Sequence, residues 1–438
     1  MVKDKRVGVV SLGCDKNRVD TEKMLANLQK RHNLVNDIDN AQIIIINTCA
    51  FLQSSREEAI AEIFSANEYK KSGQAEKIIV TGCLPQKFIG EIFDELIEVD
   101  GFLGVSDYND ILAVIDKVYE GKRVNAVGEP KNEQGTERVC TTNNYAYLKI
   151  ADGCSNHCTY CLIPYIRGKY RSIEKEKLIL EAEKLGRVKE LILVAQDTAR
   201  YGQDIYENYT LTDLIKDLTE LENVESIRLL YCYPENLSNE LIYELKTNSK
   251  LIKYIDIPLQ HADDLVLKRM NRKGTGKGYL ELIKRLKAEV DGIAIRSTFI
   301  TGFPGESEEA FNNLIKFIRD AELFNCGFFK YSREEGTPAY KLDGQIEEKV
   351  KNVRLKKLYA EQKKVVNKNL KNFLGSIVSV VAEGFDYDKL VYYGRAYFNA
   401  PDIDGKVYFF SGDEVEYGQE YDIKIKEKIG YDLFGDRI

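Results

Sequence analysis

Three cysteines crowd into GCSNHCTYC (153–161): Cys154, Cys158 and Cys161, at the spacing C-x-x-x-C-x-x-C. Three thiolates can hold three irons of a 4Fe-4S cluster and leave the fourth iron without a protein ligand. Electron carriers generally fill that position from the protein, so a set of three points to a cluster that binds something small at its open iron. The amine and carboxylate of S-adenosylmethionine could chelate there. One electron passed into the adjacent sulfonium would then break a carbon–sulfur bond and release a deoxyadenosyl radical. A zinc site that recruits His157 as fourth ligand is the competing reading.

A second set is spread out. Cys14, Cys49 and Cys83 stand 35 and 34 residues apart in the contexts SLGC, NTC and TGC. Each lies just beyond an expected parallel strand, and in open α/β sheets such ends line one crevice. Three thiols distant in sequence would converge there and hold a second 4Fe-4S cluster. Taken singly, each suits a buried core position equally well. Cys140, Cys232 and Cys326 show no such pattern and are assigned no role.

These ligands need strands to carry them. RVGVVSL (Arg6–Leu12), QIIIIN (Gln42–Asn47) and KIIVTG (Lys77–Gly82) are apolar runs between polar segments of helical length, the mark of a parallel α/β sheet. GEPKNEQGTERVCTTNN (Gly128–Asn144) carries Gly, Pro and Asn without periodicity, as a linker does. From Tyr145, strand and helix signals alternate six times, with strands expected at 145–150, 190–195, 226–231, 254–259, 293–300 and 327–332. Six βα units suggest a barrel or a partial one with its chemistry on the loops after the strands. A doubly wound sheet would give the same string.

The segment Glu347–Lys371 keeps a helical apolar stripe (Leu355, Leu358, Tyr359, Val365, Val366, Leu370) opposite nine Lys or Arg. It is expected to be a solvated amphipathic helix or, alternatively, an RNA-contacting face. Residues 373–438 break into short strand-like runs separated by DYD, APDIDG and SGDE, which indicates a small antiparallel β-barrel.

The 438 residues predict two to four domains. A balance of 63 Lys and Arg against 70 Asp and Glu, net −7, argues against a general nucleic-acid binder. The acidity is local: 13 acidic against 7 basic side chains fall in 373–438, leaving the remainder nearly neutral. An odd count of nine cysteines, partly clustered, disfavours a disulfide framework and suits a reducing compartment. MVKDKRVGVVSLGC has no signal-peptide form, and no apolar run nears the roughly 18–20 residues that span a bilayer. The chain is expected to be cytoplasmic.

The cysteine run, with aromatic Tyr160 before its last cysteine, resembles the signature of the radical S-adenosylmethionine superfamily, whose fold is a full or partial βα barrel. TFITGFPGES (Thr298–Ser307) resembles that superfamily's cofactor-binding segment, with Gly302 and Gly305 allowing close backbone approach. Two triplets, one before and one inside such a barrel, followed by a small β-barrel, are similar to the methylthiotransferases, and the resemblance covers essentially the whole chain. It implies an N-terminal methylthiotransferase domain (1–128), a linker (129–144), a radical core with its trailing helix (145–371) and an OB-like TRAM domain (372–438). The implied chemistry uses two 4Fe-4S clusters and S-adenosylmethionine to insert sulfur into an unactivated C–H bond and methylate it. Ordinary acid–base catalysis cannot remove such a hydrogen, so a radical must. The cluster on Cys14, Cys49 and Cys83 would deliver the sulfur.

One branch of that family modifies an adenosine beside the tRNA anticodon; another modifies the β-carbon of an aspartate in protein twelve of the small ribosomal subunit. SLGCDKNRVD, NTCAFL, VAQDTARYGQD, DIPLQHADD, YSREEGTPAY and GRAYFNAPDIDG resemble the second branch. Ala50, where glycine is usual, and Asp152, where glutamate is common, depart from its pattern away from any ligand position. The acidic barrel supports a basic ribosomal protein over RNA as partner, although its aromatics could stack bases. The resemblance also implies an electron donor such as a flavodoxin or ferredoxin, and nothing demands more than a monomer. A non-catalytic iron–sulfur protein is the rival of another class.

Gln196 and Asp197 after the second core strand, and Gln260 and His261 after the fourth, are expected at the barrel mouth, in contact with ligand or supporting it. Arg296 alternates inward along the fifth strand, toward a S-adenosylmethionine pocket that Tyr160, Gly302, Gly305, Gln196 and Gln260 would share. RKGTGKG (Arg272–Gly278) lacks P-loop spacing and is expected to be a flexible basic loop.

Overall fold

The first sheet is built from β1 (Arg6–Ser11), β2 (Asn33–Val35), β3 (Ile43–Thr48), β4 (Lys77–Gly82), β5 (Gly101–Leu103) and β6 (Val124–Ala126). In this computed structural model, which describes residues 1–132 and 135–438, the six strands run parallel in the order β2-β1-β3-β4-β5-β6. Glu133 and Gln134, inside the expected linker, lie outside the described residues. Every residue of β3 is buried, as a strand covered on both faces must be. The expected three strands gain β2, β5 and β6, each only three residues long and too short for an alternation to show. The order makes β1, β3 and β4 neighbours, so the three cysteine-bearing strand ends lie side by side. Strand order reverses between β1 and β3, and an open α/β sheet has its crevice at such a point.

The second sheet joins β7 (Tyr145–Lys149) to five later strands. Between them a short antiparallel pair, β8 (Ala151–Asp152) and β9 (Arg171–Ser172), closes the neck of the loop that carries Cys154, Cys158 and Cys161. β10 (Glu190–Val194), β11 (Ile227–Leu229), β12 (Leu251–Asp256), β13 (Ala294–Thr301) and β14 (Asn325–Lys330) complete six parallel strands in the order β14-β13-β12-β11-β10-β7, an open, partial barrel. β12 lies three residues before its expected place, because Pro258 has no N–H for a ladder.

Alternate side chains of these strands serve two cores. Leu191 and Leu193 join the helices outside, whereas Ile192, Val194, Tyr147 and Tyr254 face inward. The inward set packs against the C-terminal domain. That domain is a closed barrel of β15 (Ile377–Asp386), β16 (Val391–Arg395), β17 (Val407–Phe410), β18 (Glu420–Ile429) and β19 (Asp432–Arg437), antiparallel except where β17 meets β19. Phe398, Phe409 and Val380, with Val366 and Leu370 of the preceding helix Glu348–Lys371, fill the open side of the partial barrel.

Charge reinforces this seam. Buried Glu190 accepts from Arg228 and, at 2.9 Å, from Arg395, which also pairs with Glu383 at 2.7 Å. Asp404 accepts from Tyr254 Oη at 2.7 Å and lies 3.5 Å from Arg296. The acidic barrel is therefore not purely a solvated surface. The nine basic residues of the long helix likewise do not all face water. Lys351 donates to the Tyr331 carbonyl at 2.8 Å, and Arg354 pairs with Glu306 at 2.7 Å.

Removing one partner of a buried ion pair strands the other. Arg395→Ala is expected to lower the unfolding free energy by about 3 kcal/mol, measured by urea denaturation with a fluorescence probe on the barrel.

Candidate functional site

The first triplet sits on the C-terminal edge of the first sheet. Thr48 and Gly82 are register partners, so Cys49 and Cys83 leave adjacent strands at the same level. Cys14 caps the helix Asp15–Leu28, and Cys83 opens the helix Cys83–Glu95. Gly13 lies so close to Cys49 that a side chain there would meet its Cβ at 2.7 Å, and Gly82, at φ +95°, would meet Asn47 Oδ1 at 2.3 Å. Each thiol is within reach of the others' charge. Burial raises Cys49 and pushes Cys83 up to about 12, while Cys14 is exposed.

The second triplet rides on a loop pinned from three sides. Thr159 N donates to the Met270 carbonyl at 3.1 Å and its carbonyl accepts from Ala339 N at 2.8 Å. Asn271 Nδ2 donates to the His157 carbonyl at 2.9 Å, and Asn156 Nδ2 to Asp197 Oδ2 at 2.9 Å. Burial pushes Cys154 up to about 11 and raises Cys161 further. The Tyr160 ring packs edge-on to Phe303, centroids 6.4 Å apart.

Both triplets fit iron–sulfur ligation. Buried thiols held protonated in the bare chain become thiolates when a cation coordinates them. Cys161 Sγ already accepts the Ile163 N–H at 3.4 Å, and the backbone N–H groups of Phe51 and Asn156 favour the thiolate forms of Cys49 and Cys154. Such donors stabilise cluster sulfurs. Among the described residues no three His, Cys, Asp or Glu side chains converge on one point, as a single metal ion requires. A cluster takes each thiolate on a different iron. His157 is exposed, at φ +51°. Beside the second triplet, Gln196 Oε1 and Asp197 Oδ1 are buried without partners, as acceptors awaiting a ligand would be.

Between the triplets lies a buried polar junction. Arg167 donates to Asp152 at 3.0 and 3.1 Å, to Asp20 at 3.0 Å and to Asn17 at 2.5 Å, and reaches Cys83 Sγ at 3.9 Å. Lys149 pairs with Asp20 and lies 3.7 Å from Asp152. Burial opposes the Asp152 charge, but Arg167, Lys149 and Arg171 outweigh it and hold that carboxyl well below the ordinary range. Tyr231 Oη donates to Asp15 at 2.7 Å, and buried Glu334 accepts from Gln53 N and Arg56 at 2.9 and 2.6 Å. Loops after β1, β3 and β4 thus interlock with loops after β7, β11 and β14. The two C-terminal sheet edges face each other.

Other expected residues have different surroundings. Gln196 Nε2 donates to Asp152 at 3.1 Å, beside the junction. Gln260 stands at the mouth in a left-handed conformation, φ +71°. His261 is fully buried, with Nδ1 accepting from Asp263 N and Nε2 3.1 Å from Glu306, a supporting position. Gly302 and Gly305, at φ +73° and +83°, are crowded by Lys351 and Arg269 side chains. Arg296 engages Asp256 at 3.0 Å and Asp404, on the side that meets the C-terminal barrel. RKGTGKG is no loose loop: Arg272 is buried on the Tyr233 ring at 3.9 Å, and Thr275 caps a helix through Gly278 N at 3.1 Å. Sequence reasoning missed Arg167, Asn17, Asp20 and Arg272, the last three of them polar residues within segments already singled out.

A cleft of about 1020 Å³ lies between the linker, the first sheet and the C-terminal barrel, and is lined by Arg18, Tyr145, Arg395 and Asp402. Neither triplet lines it. The site is assigned by the two cysteine triplets and the groups that hold them, not by cavity size.

Three known families match stretches of this sequence: the Radical SAM superfamily at 148–318, the uncharacterized protein family UPF0004 at 6–104 and the TRAM domain at 374–438. The ribosomal protein uS12 methylthiotransferase RimO of Acetivibrio thermocellus is 44% identical over 453 residues, covering 99% of this chain and 98% of that protein. Its counterpart in Thermoanaerobacter sp. strain X514 is 44% identical over 438 residues, covering 99% and 100%. Among solved structures, the radical S-adenosylmethionine methyltransferase TsrM of Kitasatospora setae, with cobalamin and a 4Fe-4S cluster bound, aligns with a TM-score of 0.58 over 77% of each chain at 13% identity. The cobalamin-dependent radical enzyme OxsB aligns at 0.52, over 83% of this chain and 56% of that one, at 14% identity. At these identities the likeness to solved structures is one of fold.

Arg167→Met would leave Asp152 and Asp20 sharing Lys149 in a buried site. It is expected to lower the stability of the cluster-free chain by about 3–5 kcal/mol in urea unfolding. The Asp152 contribution is complete above about pH 4, the ordinary carboxylate value, and is lost as pH falls through its lower folded-state value. In Arg167→Met the acid-dependent loss from Asp152 should be smaller and complete at higher pH.

Proposed function

This chain belongs to the ribosomal protein uS12 methylthiotransferase family, and on that footing we propose that it inserts sulfur at the β-carbon of an aspartate of uS12 and methylates that sulfur. The facing sheet edges carry this reading, because they bring both cysteine triplets to one junction within a single chain.

Cys154, Cys158 and Cys161 would hold the cluster whose open iron takes S-adenosylmethionine; Cys14, Cys49 and Cys83 would hold the second. When bound, these groups supply one-electron cleavage of the sulfonium and the sulfur to be delivered. The chain's own residues shape the surroundings. Asp197 fixes Asn156 and with it the cysteine loop, and its free Oδ1 and that of Gln196, Oε1, offer acceptors to the cofactor. Tyr160 and Phe303 wall the loop with apolar surface. Arg167 offsets the negative charge that thiolates bring beside Cys83.

The protein substrate is favoured over tRNA by charge. With the inward Glu383, Asp404 and Arg395 set aside, the C-terminal barrel still carries eleven acidic against six basic side chains. An RNA-binding barrel needs the opposite sign; a basic ribosomal protein complements this one. The site is completed within one chain, which supports a monomer, and a flavodoxin or ferredoxin would suit the electron supply. Among the described residues no helix is long and apolar enough to cross a membrane. A ribosomal protein as substrate supports a cytoplasmic setting.

Anaerobic reconstitution should load about eight irons on wild type and about four on Cys14→Ala, as for two 4Fe-4S clusters. Mass spectrometry should find methylthiolated uS12 in cells with the gene and not without it. Loss of a methylthiolated tRNA nucleoside instead would overturn the substrate assignment.

A further inference from the structure

Lys16 lies two residues beyond Cys14 and is only 7% exposed, yet among the described residues its ammonium meets no carboxylate and no carbonyl. It rests 3.4 Å over the centroid of the Tyr231 ring. The neighbouring buried cations differ: Arg167 and Lys149 are both paired with Asp20 and Asp152. A π face orients a cation without neutralising it. Lys16 therefore presents an ammonium without an ion-pair partner at the junction between the two triplets.

Its platform is held under strain. Tyr231 is at φ +61°, a conformation that non-glycine residues hold only when their surroundings force it, and one that gathers at functional sites. Its N–H donates to Asp256 Oδ2 at 3.2 Å and its carbonyl accepts from Thr198 N at 3.0 Å, which fixes the backbone from both sides. The ring then reaches across from the second sheet to Asp15 and Lys16 of the first. Beside it the helix Asp15–Leu28 starts at Cys14, which gives no side-chain cap, so its first amides also face the junction.

We propose that Lys16 receives the side-chain carboxylate of the substrate aspartate. This rests on the reading of that aspartate as substrate. The carbon that takes sulfur is bonded directly to the carboxylate carbon, so the negative charge must enter wherever that carbon enters. A carboxylate brought into a largely buried site needs a cation that is not already neutralised. Lys16 is such a cation beside the triplet that would deliver the sulfur, and a neutral side chain or a nucleobase would leave it unpaired.

The test compares reconstituted full-length wild type, Lys16→Met and Lys16→Arg with purified uS12 and with uS12 whose target aspartate is asparagine. Binding, KM, kcat and iron content are measured. Lys16→Met should weaken binding of uS12 and raise KM by roughly 10- to 100-fold, the scale of one charged hydrogen bond, with iron content as in wild type. Lys16→Arg should recover most of the loss. The asparagine substrate should bind wild type as weakly as Lys16→Met binds uS12, and should bind Lys16→Met no more weakly still. An asparagine penalty of equal size in both proteins would overturn the proposal. So would a Lys16→Met protein that binds uS12 normally but loads less iron, since Lys16 would then serve the thiolates. If wild type neither binds nor modifies uS12, the assignment of uS12 fails and the role of Lys16 falls with it, an outcome distinct from indifference at Lys16 alone.

Discussion

A buried guanidinium has to be surrounded, and Arg167 is surrounded by groups from two sheets. Asp152 belongs to the strand pair that closes the cysteine loop, while Asp20 and Asn17 belong to the helix that Cys14 caps. None of these groups can be left alone in a dry interior, because an unpaired buried charge costs several kcal/mol. The two edges are consequently locked at one separation and one orientation. A larger apolar contact could hold the domains together as firmly, but it would tolerate sliding. Directional bonds to a planar fork do not.

The same logic recurs at the opposite side of the partial barrel. Six strands leave a βα barrel open, and its inward side chains need cover. The C-terminal barrel supplies it with Phe398 and Phe409, and Glu190, Arg228, Arg395 and Asp404 fix the register of that cover. The small barrel thus has two roles divided by face. Its inner face completes the core of the second sheet; its outer face keeps the acidic excess. Glu306 plays a comparable part behind the GFPGE turn, where it gathers His261, Thr301, Gly302 and Arg354.

Much of this was legible in the sequence, where local pattern and tertiary need agreed. Long apolar runs such as IIIIN announced buried parallel strands, and the repeated contexts of Cys14, Cys49 and Cys83 placed them at equivalent strand ends. Three-residue strands carried no period to detect. The ion pairs were invisible for another reason: a charged residue is exposed by default, and only its distant partners reverse that. Arg167 reads as a surface arginine after IPYI, Lys351 and Arg354 as part of a solvated helix face, and Arg272 as part of a basic loop. Gln260 and Tyr231 were hidden too, since a left-handed backbone at a non-glycine residue leaves no compositional trace.

Burial across the first triplet is uneven, and this gives the junction a direction. Cys83 is packed against Asn17 and Arg167, and Cys49 against Gly13, whereas Cys14 is exposed. The second sheet covers the Cys83 side through Arg167 and the cysteine loop. It meets the Cys14 side through the Tyr231 ring, with its contacts to Asp15 and Lys16, and through Tyr145 and Tyr147 beside Arg18. A folded ribosomal protein cannot thread through the sealed side without breaking buried ion pairs. On the proposed reading it would present one side chain past Cys14, beside the Tyr231 ring and the Lys16 ammonium. The sealed side fixes the distance between the triplets and, on the proposed reading, the open side would admit the substrate, so rigidity and access would be met by different halves of one interface.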